Sequence, residues 1–240
     1  KPLHYGGDEA ADLRIQMGGL EFLHLENGFV EPVTEKCIEQ GRQFWGDYNL
    51  GQQYPWPEEM FERLVKEFKG IYPVCIMAMR SGQAHYVGEP HIQAWTDVKG
   101  MGELIGWMES TVSPYLWKMS TVGTRGRVRK ERLIKELAKV YPSKTKDELH
   151  NMALTRFVDF GRRGGEVTQM TGVSHFYNWN GSDTCDAAFV ARFHLNNGKS
   201  FGAGSIPAGA HRSVTTWPTE DESYDRVMSL TKKYKCIAEV

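Results

Sequence analysis

Apolar positions along the first part of the chain fall mostly at helical spacing. In "WPEEMFERLVKEFKG", Met60, Phe61, Leu64, Val65 and Phe68 share one face of a predicted helix. Pro57 and the glutamates suit its start, because the first turn lacks amide partners and carries partial positive charge; Gly70 suits its end. Residues 20 to 46 also read as helix, interrupted at Gly28 and Pro32 and restarted after Thr34, whose hydroxyl can accept a free amide proton of the next turn. "YPVCIMAM" reads as a strand, "RSGQ" as a turn, and "AHYVGE" as the returning strand of a hairpin. Two more helices are predicted, from about 99 to 113 with Leu104, Ile105, Met108 and Val112 inward, and from about 126 to 140.

Beyond residue 150 the pattern changes. "TRFVDFG" is a short strand ending in glycine, "GGEVTQMTGVSHFY" is helical, and "NGSDTCDAAFVARF" is a turn feeding a second helix. "GAGSIPAGA" is a strand and loop, "TEDESYDRVMSLTKKY" a helix, and "KCIAEV" a strand. Such alternation predicts parallel strands joined by helical crossovers, hence an α/β protein, part of a barrel or of a doubly wound sheet. No internal repeat or low-complexity segment is visible.

Composition narrows the partners. At 240 residues, 40% hydrophobic and 25% charged, the chain has room for one large or two modest domains. A net charge of -1 gives no electrostatic case for nucleic acid or an anionic membrane. The basic run "RGRVRKERLIK" alternates with apolar positions and reads as a solvated helix face. No apolar run approaches the ~20 residues of a membrane span, and "KPLHYGGDEAADL" lacks the core of a signal peptide. Cys37, Cys75, Cys185 and Cys236 are widely spaced, which predicts free buried thiols in a reducing cytoplasm and no zinc or dithiol motif.

Ligands of parallel α/β proteins gather at the carboxyl ends of the strands, and "DFGRRGG", "NGSDT" and "PAGAHRS" all fall there. Arg162 and Arg163 beside bare glycine amides suit a phosphate, or else lie solvated in a glycine-rich turn. Asp183 suits a ligand N–H, or else caps the next helix. His211, among Ala208, Gly209 and Ala210, is either a structural imidazole or an accessible nucleophile or base. No second ligand at metal spacing accompanies it, so no metal site is assigned.

Taken together, "FVDFGRRGG", "NGSDT" and "SIPAGAHRSVTTW" resemble the D-F-G-x-R-G strand end, the G-T-D-T turn and the P-A-x-E-H-S-x-x-x-x-W loop of the nicotinamide phosphoribosyltransferase family. "KPLHY" and "GWMESTVSPYLWKMSTVGTRGR" resemble its N-terminal motif and the helix leading into its barrel. The resemblance implies a type II phosphoribosyltransferase, with residues 1–95 in a smaller α+β flanking domain and residues 96–240 forming the first part of an irregular α/β barrel. It implies transfer of phosphoribose from Mg²⁺-bound phosphoribosyl pyrophosphate to nicotinamide, coupled to ATP, in a cytoplasmic homodimer. Phe160 would stack on the pyridine, Arg163 would hold phosphate and base, Asp183 would accept from the carboxamide, and His211 would be phosphorylated. With 240 residues against about twice that in the family, the chain is expected to carry half of the site and to be inactive by itself. Nicotinate phosphoribosyltransferase and a non-catalytic half-barrel with a binding or regulatory role are the alternatives.

Overall fold

The computed structural model describes residues 14–25, 31–48, 55–161, 165–206, 208–209, 214–234 and 238–239. A strand at Arg14–Gln16 opens the described residues, and three helices follow it: α1 (Leu20–Leu25), α2 (Glu35–Tyr48) and α3 (Glu58–Phe68). Thr34 caps α2 as predicted, accepting the amide proton of Cys37 at 3.3 Å. Met60, Phe61 and Leu64 of α3 are buried against Ile38 of α2, with Met101 and Leu104 completing that core. The helix ends through Lys69 at φ 55° and Gly70 at φ 76°. A side chain on Gly70 would lie 2.1 Å from the carbonyl oxygen of Val33, so the turn admits only glycine.

The predicted hairpin does not form. Strand β2 (Cys75–Ala78) and strand β3 (Ala84–Tyr86) are both present, but they belong to different sheets. β3 pairs antiparallel with β1 (Arg14–Gln16), whereas β2 pairs antiparallel with β4 (Ile92–Trp95). The turn explains the exchange. Gly82 donates its amide to the Met17 carbonyl at 2.7 Å, and Met17 donates to Gln83 at 2.9 Å, so the turn ladders onto a strand remote in sequence.

The two helices predicted on either side of residue 120 are one. α4 (Leu104–Val140) runs for 37 residues with Pro114 inside it. Its small residues are contact points and not breaks. A Cβ on Gly123 would lie 3.1 Å from the Tyr177 ring, and one on Gly126 would lie 2.9 Å from the Asn178 amide. Leu104, Met108 and Val112 are buried as expected. The basic run is not wholly a solvated face: Arg127 is buried, donating to the Arg14 carbonyl at 2.8 Å and to Glu131 at 2.7 Å, which ties α4 to β1.

A helix that the hydrophobic pattern missed follows. α5 (Lys146–Ala153) is opened by a capping box in which Thr145 and Glu148 satisfy each other's amides. Next come β5 (Val158–Asp159), α6 (Gly165–His175), β6 (Gly181–Ser182) and α7 (Cys185–Phe189), which widens into a π-helical turn at Val190–His194. β7 (Ala208–Gly209), α8 (Glu220–Leu230) and β8 (Ala238–Glu239) complete the described residues. Pairing in this half is parallel, as the alternation predicted: β5 with β6, Gly181 with Gly204, and β7 with β8. Met119 of α4 packs with Met170 and Val173 of α6 and Ala187 of α7, so the long helix backs the parallel strands.

The phenol of Tyr177 joins the two halves. It donates to Glu21 of α1, which also accepts from Ser81, and burial followed by the neighbouring carboxylate pushes its ionisation far above the ordinary range. The expected burial of the cysteines fails for the three described ones, and Cys236 lies outside the described residues. Cys37, Cys75 and Cys185 are free but exposed, because each lies at an element's start or on an outward strand position. Among the described residues, no helix is long and apolar enough to cross a membrane.

Candidate functional site at the parallel strand ends

β6 is central among three neighbouring parallel segments. On one side it pairs with β5 through Val158↔Gly181 and Asp159↔Ser182, and on the other Gly181 bridges Gly204. Ser182 donates to the Gly204 carbonyl at 3.0 Å, and Gly204 to the Asn180 carbonyl at 3.0 Å. The residues that leave the carboxyl ends of these segments are therefore Phe160, Asp183 and Ser205, and two of the three are predicted site residues.

Alternation along β5 sends Asp159 inward and Phe160 outward. The Asp159 carboxylate is buried and accepts from the Thr184 hydroxyl at 2.8 Å. Its carbonyl accepts the Asp183 amide at 2.8 Å, which fixes the β6 end beside the β5 end. Phe160 is 51% exposed, an aromatic face held open at a strand tip. Gly161 follows at φ 62°, where a Cβ would lie 2.5 Å from the Thr184 hydroxyl oxygen, so the chain turns away from the sheet only through glycine here. The Gly161 carbonyl accepts from Thr168 at 3.2 Å, joining this turn to α6. Gly172 of α6 lets the helix approach α7, since a Cβ there would lie 2.4 Å from that of Ala187.

Asp183 does not cap α7. The residue at the helix N-cap is Thr184, and its amide proton goes to Ser182 Oγ at 3.1 Å. The exposed Asp183 carboxylate instead accepts through Oδ1 from the hydroxyl of Ser205. An aspartate freed from capping and steadied at one oxygen keeps acceptor capacity on the other. Behind it, His175 Nε2 lies 2.9 Å from the Gly181 carbonyl oxygen, which requires the proton on that nitrogen and fixes the imidazole under the strand.

Thus Phe160 and Asp183 come together, with an aromatic face and an anionic acceptor at adjacent strand tips. Arg162, Arg163 and His211 lie outside the described residues. Ser205, Thr184 and Asp159 were not singled out from the sequence. Ser205 opens the quoted "SIPAGAH" stretch, and its position one residue past the bridge at Gly204 is what brings it to Asp183. Among the described residues, no group of three or more His, Cys, Asp or Glu is arranged to hold a metal ion.

The described residues form a mixed α/β protein in which Phe160 and Asp183 are exposed at the carboxyl ends of neighbouring parallel strands. No family model matches the chain. It is similar to a nicotinamide phosphoribosyltransferase of Xanthomonas campestris pv. campestris (strain 8004), with 24% identity over 204 residues that cover 82% of this chain and 40% of that protein. The chain spans well under half the length of that curated relative.

Proposed function

We propose that this chain forms the pyridine-binding side of a type II phosphoribosyltransferase that joins nicotinamide to phosphoribosyl pyrophosphate, within a barrel completed by residues beyond those here. The ring nitrogen of nicotinamide attacks the anomeric carbon as the bond to pyrophosphate breaks; the products are nicotinamide mononucleotide and pyrophosphate. Mg²⁺ enters with the phosphoribosyl pyrophosphate as part of the substrate. The observation that carries this reading is the pairing of exposed Phe160 with the Ser205-held carboxylate of Asp183 at adjacent strand tips.

Phe160 stacks on the pyridine, a contact worth about 0.5–1.5 kcal/mol beyond its buried area. The carboxylate of Asp183 accepts from the carboxamide N–H₂, worth about 1.5–3 kcal/mol for a bond to a charged group. Nicotinate presents a second anion there, so the same carboxylate repels it, and this disfavours the nicotinate-specific alternative. Arg163 holds phosphate and the base. His211 takes a phosphoryl group from ATP, ADP leaves, and hydrolysis of the phosphohistidine drives product formation. The similarity to a named nicotinamide phosphoribosyltransferase supports the reaction class. Incubating the full natural polypeptide with nicotinamide, phosphoribosyl pyrophosphate and Mg²⁺, with and without ATP, tests the reading. Nicotinamide mononucleotide should accumulate, and faster with ATP; absence of any mononucleotide refutes it.

A further inference from the structure

Away from the strand-end site, two imidazoles sit together at the junction of the antiparallel sheets. His85 lies on β3, opposite Ile15 of β1. His91 immediately precedes β4, and its carbonyl accepts the Met79 amide at 3.0 Å just beyond β2. The rings are 5.9 Å apart, centroid to centroid. The chain between them is held as a tight turn: Glu89 donates its amide to the Tyr86 carbonyl at 3.2 Å, Tyr86 returns its own to Glu89 Oε2 at 2.9 Å, and Gly88 supplies φ 99°. The main-chain positions of the two residues are thus fixed by pairing and by this turn.

In both histidines, Nε2 is shielded from solvent and has no hydrogen-bond partner. One such nitrogen is a local packing loss; two, in neighbouring rings, ask for a shared partner, since buried polar atoms are ordinarily satisfied. The opposite nitrogen of His85 supplies a further clue. Its Nδ1 lies 4.0 Å from Glu89 Oε2. At that distance the carboxylate is a neighbouring charge and not a hydrogen-bond partner, and a small closure of it onto Nδ1–H would raise the basicity of a metal-binding Nε2.

The spacing agrees with a shared ion. A metal–nitrogen bond of about 2.0–2.1 Å sets each ring centroid roughly 3.2 Å from the metal, so two imidazoles at tetrahedral or somewhat wider angles have centroids about 5–6 Å apart. The observed separation is 5.9 Å. We propose that His85 and His91 bind one divalent transition-metal ion of borderline softness through their Nε2 atoms, with Glu89 orienting His85. Imidazole donors select zinc, cobalt, nickel or copper over magnesium or calcium. No third such side chain joins them in a ligating group among the described residues, so water or an added ligand completes the coordination and binding is weaker than at a site with three or four protein donors. The ion links β3 to the start of β4, and so joins the two antiparallel sheets.

The test uses the full chain, stripped of metal by chelator and titrated with Co²⁺, Zn²⁺ or Ni²⁺ chloride. One equivalent should bind, with visible cobalt absorption of a nitrogen-ligated site and a concentration-dependent rise in Tm. His85→Gln and His91→Gln should each weaken binding at least tenfold and Glu89→Gln severalfold, whereas the exposed His194→Gln should leave it unchanged. Because a buried substitution can disturb folding, the unmutated chain labelled with ¹⁵N-histidine gives a second readout: Zn²⁺ should shift the Nε2 resonances of two histidines. Failure to bind any of the three ions at 100 µM overturns the proposal, as does binding that survives both histidine substitutions or shifts confined to other histidines.

Discussion

Ser205 donates its hydroxyl hydrogen bond to Asp183 Oδ1, joining two neighbouring parallel strand ends beside the open face of Phe160. The bond leaves the second carboxylate oxygen open as an acceptor and restricts rotation of the side chain. Ser205→Ala should therefore raise KM for nicotinamide about 2–13-fold with little change in kcat, the range that corresponds to an ordinary net hydrogen bond of about 0.5–1.5 kcal/mol. Preference for nicotinamide over nicotinate should narrow, and Ser205→Thr should restore most of both. Steady-state kinetics with each base on the full polypeptide decides this; an unchanged KM shows that the bond is only a surface tie.

Gly161 should tolerate no side chain. Its φ of 62° and the 2.5 Å approach that a Cβ would make to the Thr184 hydroxyl oxygen act together. Gly161→Ala should cost about 1–3 kcal/mol in urea unfolding, through left-handed strain and loss of the Thr184–Asp159 contact. Gly46→Ala, at an α2 position open to solvent, should be neutral or slightly stabilising.

Cys37 should be the fastest of the three described cysteines to alkylate. All three are exposed, but hydrogen bonding from Thr34, whose Oγ1 lies 3.1 Å from the sulfur, holds the Cys37 thiol below its ordinary pKa. Mass-spectrometric labelling at pH 7.5 with limiting iodoacetamide should modify Cys37 ahead of Cys75 and Cys185. Thr34→Val should remove the lead.

Acid should weaken the start of α5. Lys144 first, then the amide and hydroxyl of Thr145, hold the Glu148 carboxyl down at about 2 against an ordinary 4.5. A carboxyl lowered on folding contributes stability that is complete above its unfolded pKa and is lost as pH falls through its folded one. The contribution of Glu148 should therefore fade between pH 4.5 and about 2. Helical circular dichroism of Glu148→Gln should show a shallower loss over that window than the parent chain.

Much of the architecture was legible where one residue's chemistry dictates one outcome. The apolar face of α3, the Thr34 cap and the parallel pairing after residue 150 all follow from local pattern. Errors arose where remote residues decided. Pro114, Gly123 and Gly126 have the letters of a helix break, yet α4 continues because Tyr177 and Asn178 occupy the space that side chains at the two glycines would fill. The "RSGQ" turn was right, but its partner strand lay at residues 14–16, and no short-range pattern reveals that. α5 is only eight residues long and buries just Leu149 and Ala153, too short a run for a periodic pattern, and its T-x-x-E capping box is the local signal that marks it. At the site, the strand-end positions of Phe160 and Asp183 were legible from glycine punctuation. The role of Ser205 was not, because it depends on the Gly181–Gly204 bridge across the sheet.

The central claim is that Asp183 chooses the base. The most direct measurement compares nicotinamide with nicotinate as acceptors for the full natural polypeptide and its Asp183→Ser variant. The parent should strongly prefer nicotinamide, and the variant should lose at least tenfold of that preference. A variant that turns over both bases in the parent's ratio contradicts it.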